Sequence, residues 1–252
     1  MSENFVDIVG YQLEKVHTGV IAWLLDTERS PLPTAEQTTL AGRLAPSSTQ
    51  GAQPTSITAV QEYSFGRRLR IDLVLELHPA TGPERYILIE CKTDSDVSVA
   101  QLQESSKAFA SRKPNVPFSV IVLALGAGQA TLRHQLREIR NEGYQAVDLP
   151  HALEVFSNLS IAGKRHVYDE WVAALDAEHT RAAQIDEALA RVDHPWDSRL
   201  LGAGYRTGFP VFYMFGSSGF LVGTYDILCS ALWGTHPPDP LGFIALEARA
   251  AP

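Results

Sequence analysis

Hydrophobic and polar residues alternate one by one through residues 69–77. Leucine or isoleucine occupies every odd position, whereas the even positions are mostly charged and include Asp72 near the centre. A period of two residues is typical of a β-strand that buries one face. Residues 86–91 follow as a nearly continuous apolar run interrupted by Glu90, which is typical of a strand covered on both faces. The pattern therefore predicts two neighbouring strands that carry Asp72 and Glu90.

The segment between these runs, residues 78–83, has the sequence His-Pro-Ala-Thr-Gly-Pro, which is rich in turn-forming residues. We therefore predict a β-hairpin centred on this segment. In a hairpin without a bulge, that centre places Asp72 opposite Glu90. It likewise places Arg70 opposite Lys92. Side chains two positions apart on a strand share a face, so Glu90 and Lys92 are expected to point the same way.

Two carboxylates and an ammonium group are thus expected to converge at one end of the hairpin. Directly opposed residues have Cβ atoms roughly 5 Å apart, and two like charges at that distance destabilise a sheet. Lys92 offsets part of this repulsion, and a bound divalent cation would offset more. Oxygen ligands favour Mg²⁺ or Mn²⁺ over Zn²⁺. This is the chemistry that metal-assisted phosphodiester hydrolysis uses, although a solvent-facing charge cluster on an ordinary hairpin explains the same residues.

Residues 5–26 have apolar side chains at helical spacing and predict one opening helix. Glu14 and His17 lie one turn apart on it and are therefore neighbours on the helix surface. Taken alone, the pair is equally well explained by an exposed helix face.

A second helix is predicted at residues 34–44, where Thr34 and Gln37 have the spacing of a capping box. Residues 45–56 are rich in Pro, Ser, Thr and Gln and predict a mobile loop. The remaining pattern predicts three strands and two helices, at residues 57–65, 98–112, 118–125, 130–141 and 146–149. This alternation favours an α/β fold with a central mixed β-sheet flanked by helices.

The second half of the chain changes character twice. Residues 151–192 predict helix with an acidic face, which is either solvated or a surface for a protein partner. Residues 194–252 are rich in Gly, Pro and aromatic residues and predict a β-hairpin. We therefore divide the chain into a core at 1–150, a helical extension at 151–193 and a C-terminal appendage at 194–252. The residues of the predicted acidic face are Asp169, Glu170, Asp176, Glu178, Asp186 and Glu187.

Composition limits the partners and the cellular compartment that are expected for the protein. The formal net charge of the 252 residues is −8, but residues 60–140 hold 11 Lys and Arg against 9 Asp and Glu, so the acidity lies mainly outside them. A locally basic groove is therefore compatible with the chain. Cys91 and Cys229 are the only cysteines, which excludes a disulfide framework and favours a reducing, cytoplasmic location. We find no secretory signal and no apolar run near the roughly 20 residues of a membrane-spanning helix, so no membrane association is expected.

Four blocks of the first half of the chain resemble the PD-(D/E)xK superfamily of restriction-endonuclease-like nucleases. More narrowly, they are similar to its bacterial branch, whose opening helix reads Glu-x-x-His and ends in Trp-Leu-Leu-Asp. Ile71 departs from the proline of the superfamily name, and Ser105 stands where many relatives have tyrosine. The matching blocks, in order, are residues 14–26, 67–72, 89–92 and 101–102.

The resemblance implies a restriction-endonuclease-like core and a Mg²⁺-dependent nuclease that hydrolyses DNA, with Mn²⁺ as a substitute, in defence against foreign DNA or in repair. It implies that Asp72, Glu90, Glu14 and the main-chain carbonyl of Cys91 hold the metal. Lys92 would orient the attacking water or steady the developing negative charge. Gln101 would join these residues as a catalytic side chain. Because one such site cuts one strand at a time, cleavage of both strands would favour a homodimer.

Several of these residues also have simpler explanations. His17 is expected to orient the first helical turn or to pack. Ser98 and Gln101 form a capping box, which alone would account for Gln101. The thiol of Cys91 alternates away from the acidic face and is expected to be buried. A solvated strand end explains the basic residues before the first acid as well as phosphate binding does, and these residues are Arg67, Arg68 and Arg70.

Two other functions remain open at this point. The chain is alternatively a non-catalytic module on the same fold that binds nucleic acid or supports assembly. A carboxyl pair also serves glycosidases, although they do not need a lysine two residues from one acid. Activity on DNA against activity on a sugar separates these interpretations.

Overall fold

The computed structural model of the protein describes residues 4–49, 54–66, 69–93, 98–126 and 129–190. One five-stranded sheet forms its centre, and the strands lie side by side in chain order. The first three strands are antiparallel, whereas the third, fourth and fifth are parallel. The strands are β1 (Pro54–Ser64), β2 (Arg70–Pro79), β3 (Arg85–Lys92), β4 (Phe118–Ala124) and β5 (Gln145–Asp148).

Helices cover both faces of the sheet and confirm the predicted α/β class. Apolar residues of α2, α3, α7 and α8 pack against one face, and those of α5 and α6 pack against the other. The helices are α1 (Phe5–Val9), α2 (Glu14–Leu25), α3 (Thr34–Leu44), α4 (Pro46–Thr49), α5 (Val99–Arg112), α6 (Gln129–Asn141), α7 (Leu149–Phe156) and α8 (Arg165–Ala190). Within the described ranges, no helix combines the length and apolarity needed to cross a membrane.

The hairpin of β2 and β3 has the predicted register along most of its length. Leu77 pairs with Arg85 at the turn, and Leu73 pairs with Ile89. The pairing stops there, so the predicted pairs of Asp72 with Glu90 and of Arg70 with Lys92 do not form. The physical reason is the amide of Cys91. It donates a hydrogen bond to the side chain of Asp72 instead of to the main chain of β2.

The strict alternation predicted for β2 is wrong at Asp72. Leu73 packs in the hydrophobic cluster beneath α2, whereas Ile71 packs in the cluster beneath α5. Residues two apart would share a face in a regular strand. On β1, Glu62 lies between two residues that pair with Leu73 and Ile71, and it has a positive φ of 50°. Both strands are therefore irregular at the level of Asp72, and the regular alternation of side chains along β2 is interrupted there.

The predicted opening helix is in fact two helices. Gly10 ends α1 with a φ of 113°, and its amide donates to the carbonyl of Val6. Glycine adopts this conformation without the steric penalty of a side chain, so it is suited to ending a helix. The second helix begins at Glu14, and this break places Glu14 at a helix N-terminus.

Two other local predictions near the start of the chain are wrong. Pro33 precedes α3, and the side chain of Gln37 turns inward instead of capping the helix. Its amide nitrogen donates to the carbonyl of Leu32, and its oxygen accepts from Thr27. The predicted mobile loop at 45–56 contains the short helix α4 and the start of β1. In both segments, packing against the core and not the local sequence pattern determines the conformation.

The downstream elements agree with prediction to within one or two residues. The predicted elements at 98–112, 118–125, 130–141 and 146–149 correspond to α5, β4, α6 and β5. Ser98 caps α5 by accepting a hydrogen bond from the amide of Gln101.

The predicted helical extension consists of α7 and α8, which share the hydrophobic cluster beneath α2. Glu178 is fully buried and accepts a hydrogen bond from Arg181, so its predicted place on an exposed acidic face is wrong. Glu170 is also engaged, because it accepts from the amide of Phe5 at 2.9 Å. Asp169 and Asp176 are exposed as predicted. Outside the described residues lie the side chains of Asp186 and Glu187 and the whole predicted hairpin at 194–252.

Gly126, directly beyond β4, provides a test of the close packing at this end of the sheet. A Cβ there would lie 1.6 Å from the carbonyl oxygen of Thr93, whereas at Gly19 in α2 the nearest atom would be 3.6 Å away. We expect Gly126→Ala to lower the free energy of unfolding by about 2–3 kcal/mol through overpacking. The control Gly19→Ala should raise it by about 0.5–1 kcal/mol because alanine favours helix. Urea denaturation measures both, and equal effects would contradict the described approach of the two segments.

Candidate functional site

A cleft of about 600 Å³ opens where β2 and β3 separate. It lies between α2, the ends of β2 and β3, and α5. It brings together all five side chains that the sequence singled out, although they come from four different elements. The lining residues are Glu14, Ser64, Gly66, Leu69, Arg70, Asp72, Glu90, Lys92, Gln101 and Glu104.

Glu90 and Lys92 form an ion pair on the floor of the cleft. The Lys92 Nζ lies 2.7 Å from the Glu90 Oε1, and both side chains are at most 10% exposed. The Gln101 Nε2 donates to the same oxygen at 2.5 Å. The capping box therefore holds only at Ser98, because the side chain of Gln101 turns to Glu90 instead of back to the helix start.

Asp72 is held by the main chain of β3. Its Oδ2 accepts the hydrogen bond of the Cys91 amide at 2.9 Å. In a continuing antiparallel ladder this amide would donate to a carbonyl of β2, so the carboxylate replaces a main-chain acceptor. The arrangement anchors Asp72 within the cleft without placing it directly opposite Glu90.

Glu14 approaches Lys92 from the other layer of helices. It is the first residue of α2, where the partial positive charge of the helix N-terminus favours a carboxylate. Its Oε1 lies 3.9 Å from the Lys92 Nζ. The ammonium group of Lys92 therefore lies between a carboxylate of its own strand and a carboxylate that reaches it around the end of the sheet.

The start of α2 is fixed by hydrogen bonds from several parts of the chain. The Tyr11 hydroxyl donates to the carbonyl of Leu125 at 2.8 Å, and the Thr93 hydroxyl donates to the carbonyl of Gln12 at 2.8 Å. Both partners belong to segments that follow β3 and β4. The turn before Glu14 is therefore attached to the same end of the sheet that forms the cleft.

His17 contributes a third attachment from beneath the helix. The indole N–H of Trp171 donates to the His17 Nδ1 at 3.1 Å, and the His17 Nε2 lies 2.7 Å from the carbonyl oxygen of Tyr11. An indole nitrogen only donates, so Nδ1 accepts and Nε2–H donates, which makes His17 a neutral histidine with both ring nitrogens engaged. The ring is fully buried. His17 therefore packs and orients the first turn, as interpreted from the sequence.

Burial and neighbouring charges shift the pKa values of the central pair. Burial raises the pKa of Glu90, the negative charge of Asp72 raises it further, and Lys92 opposes both effects. Burial by itself lowers the pKa of Lys92, but the charge and hydrogen bond of Glu90 outweigh it, so the pKa of Lys92 is raised. Lys92 is consequently protonated at neutral pH.

Cys91 presents its main chain, and not its thiol, to this region. The thiol lies in the hydrophobic cluster beneath α2, and burial raises its pKa well above the ordinary value. A thiolate nucleophile is therefore disfavoured. The carbonyl of Lys92 accepts from the Leu125 amide on the β4 side. Because main-chain groups of successive strand residues point to opposite edges, the Cys91 carbonyl is directed to the side of Asp72.

Sequence reasoning missed Glu104, which lines the cleft one turn beyond Gln101 on α5. The spacing of three residues on a helix was the signal that could have identified it. Arg70 also lines the cleft, whereas Arg67 and Arg68 lie outside the described residues.

No protein-family model, curated protein or solved structure matches this chain.

The carboxylates of Glu14, Asp72 and Glu90 line one cleft but do not form a closed ligand cage. Among the residues that the structure describes, no three or more His, Cys, Asp and Glu side chains are grouped closely enough to hold a metal ion. Mg²⁺ is commonly held by one or two carboxylates together with water and substrate phosphate. The oxygen donors of Asp72 and Glu90, and the repulsion between their charges, fit a hard divalent cation bound in that open manner.

The bond between Trp171 and His17 predicts a measurable contribution to stability. Trp171→Phe keeps an aromatic ring but leaves the buried His17 Nδ1 without its donor. We expect the free energy of unfolding to fall by about 1–3 kcal/mol, the typical cost of an unsatisfied buried polar group. Trp23→Phe is the control, because Trp23 is only partly buried. Urea denaturation followed by far-ultraviolet circular dichroism compares the two, and a larger loss at Trp23 would refute the assignment.

The raised pKa of Glu90 predicts how stability changes with pH. The folded state binds this proton more tightly than the unfolded state, so the free energy of unfolding falls as pH rises above the ordinary glutamate value of 4.5. Glu90→Gln removes this titration. In EDTA, the stability of wild type relative to Glu90→Gln should therefore decrease from acidic to neutral pH. Denaturation across that range measures the difference, and a constant difference would contradict the described burial.

Proposed function

We propose that the protein is a metal-dependent nuclease with a restriction-endonuclease-like core, and that it hydrolyses phosphodiester bonds of DNA. The observation that carries the proposal is the meeting of Asp72, Glu90 and Lys92 in one cleft, with Lys92 held 2.7 Å from Glu90. The order of elements, with three antiparallel strands followed by two parallel strands joined through helices, is compatible with such a core.

Asp72 and Glu90 would hold Mg²⁺, or Mn²⁺ in its place, together with the carbonyl of Cys91. Glu14 would complete the site from the other layer, directly or through water. When bound, a divalent cation lowers the pKa of water and neutralises charge that develops on the phosphate. The hydrogen bond from the Cys91 amide keeps the Asp72 carboxylate in place for this role.

Lys92 is suited to stabilise negative charge. Because its pKa is raised, it keeps its proton at neutral pH and does not act as a base. An ammonium group in a largely buried position interacts more strongly with a developing oxyanion than one in water does. Of its two candidate roles, steadying the developing negative charge on the phosphate is therefore favoured over orienting the attacking water.

Gln101 would act as a positioning residue. Its side-chain nitrogen donates to the Glu90 Oε1 and so restricts the rotation of that carboxylate. A neutral donor achieves this without adding a second positive charge beside Lys92. The carboxylate can therefore be oriented while keeping its charge for a cation.

The alternative of a non-catalytic nucleic-acid-binding or assembly module has one specific observation in its favour. Within the described ranges, the carboxylates of the cleft do not form a compact group of three metal ligands. The buried Lys92–Glu90 pair argues for catalysis, because placing both charges out of water costs free energy that a binding surface does not require.

The direct test is cleavage of supercoiled and linear DNA in Mg²⁺, Mn²⁺ or EDTA. We expect cleavage that depends on the metal, and we expect Lys92→Ala to lower its rate by about 10²–10³-fold, the typical loss when a charge-stabilising donor is removed. Lys107→Ala, at an exposed position on α5, is the matched control and should cleave like wild type. Circular dichroism verifies that both variants are folded.

Each other result selects an alternative. Binding of DNA without cleavage under any metal condition would favour the non-catalytic module. Equal cleavage by Lys92→Ala and Lys107→Ala would place the catalytic site elsewhere. Cleavage of a glycosidic substrate and not of DNA would identify the protein as a glycosidase instead of a nuclease.

A further inference from the structure

Two exposed basic side chains meet beside the cleft. The Lys15 Nζ lies 2.7 Å from the Glu62 Oε1, and the Arg70 Nη1 lies 3.3 Å from the same oxygen. Lys15 follows Glu14 in the first turn of α2, and Arg70 precedes Asp72 by two residues on β2. The two cations therefore come from different elements and are brought together at one rim of the cleft.

The rim cations differ from Lys92 in their exposure. The side chains of Lys15 and Arg70 are 71% and 53% exposed, whereas Lys92 is 10% exposed. Their charged groups are therefore accessible to a large molecule that lies across the cleft. Lys92 is accessible only to a group that enters the cleft.

Glu62 adopts a strained backbone conformation at this point. Its φ of 50° lies in the left-handed region that residues with a side chain rarely occupy. Exposed ion pairs contribute little to stability, so they do not by themselves explain why this conformation is retained. Such outliers are concentrated at functional sites.

The floor of the cleft by itself repels nucleic acid. The acidic residues that line the cleft outnumber Lys92, whereas Lys15, Glu62 and Arg70 together carry a net charge of +1. These acidic residues are Glu14, Asp72, Glu90 and Glu104. A DNA backbone is therefore attracted to the rim before it meets the floor. Guanidinium and ammonium groups are the usual donors to phosphate oxygens.

We propose that Lys15 and Arg70 form a phosphate subsite that binds a backbone phosphate neighbouring the one at the floor of the cleft. This inference rests on the proposed nuclease function. Glu62 holds the two side chains close together in the free protein. The contacts are to the backbone, so the subsite positions DNA and does not read its sequence.

Binding of a fluorescently labelled DNA duplex in EDTA tests the subsite without cleavage. We expect Lys15→Ala and Arg70→Ala each to weaken binding about five- to tenfold at ~0.1 M salt, as the loss of one phosphate contact would. Each should also reduce the slope of log affinity against log salt by about 0.9, the value for one lost phosphate contact. Arg165→Ala is the matched control, because Arg165 is 67% exposed and paired with Asp169 on α8.

The outcomes separate the subsite from the nuclease proposal. Cleavage by wild type, with both rim variants binding duplex like Arg165→Ala, would refute the subsite and leave the nuclease intact. Weakened binding by the rim variants, with no cleavage in any metal, would support the subsite on a non-catalytic module. Failure of wild type to bind the duplex at any salt concentration would overturn the subsite.

Discussion

The hydrogen bond from the Cys91 amide to the Asp72 carboxylate is the interaction on which the cleft depends. The pairing of β2 with β3 ends at Leu73, and beyond it a side chain stands where a ladder would have a carbonyl. Without this hydrogen bond, two carboxylates would face each other across a closed hairpin at the cost of direct repulsion. With it, Asp72 is retained close to Glu90, the strands separate, and the end of the sheet opens.

Both layers of helices then contribute to the opened end. Gln101 reaches Glu90 from α5, and Glu14 reaches Lys92 from α2. The turn before Glu14 is in turn attached through His17 to Trp171 of α8. Helix α8, late in the chain, therefore helps to position the side chain of Glu14 near the beginning of the chain. Apolar residues of α8, including Trp171 and Leu175, also pack into the same hydrophobic cluster as the sheet.

The charges of the cleft are arranged in two tiers. The floor holds carboxylates together with one buried ammonium group, and the pKa of Glu90 is raised first by burial and then by the charge of Asp72. The rim holds two exposed cations joined by Glu62. A divalent cation would neutralise the carboxylates of the floor, and a polyanion would bind the cations of the rim. The proposed nuclease is the function that needs both at once, which is why the acidic net charge of the chain does not argue against DNA.

The amino-acid sequence by itself determined most of the elements, the register of the hairpin as far as Leu73 and five of the side chains that line its open end. These depend on period-two and helical patterns, on turn residues and on the cap at Ser98, all of which act over a few positions. Tertiary packing decided the irregularity at Asp72, the break at Gly10 and the burial of Glu178. It also decided the meeting of Glu14 with Lys92 and of Lys15 with Arg70. These features join segments that are distant along the chain, and their energies depend on burial and charge that no local pattern contains.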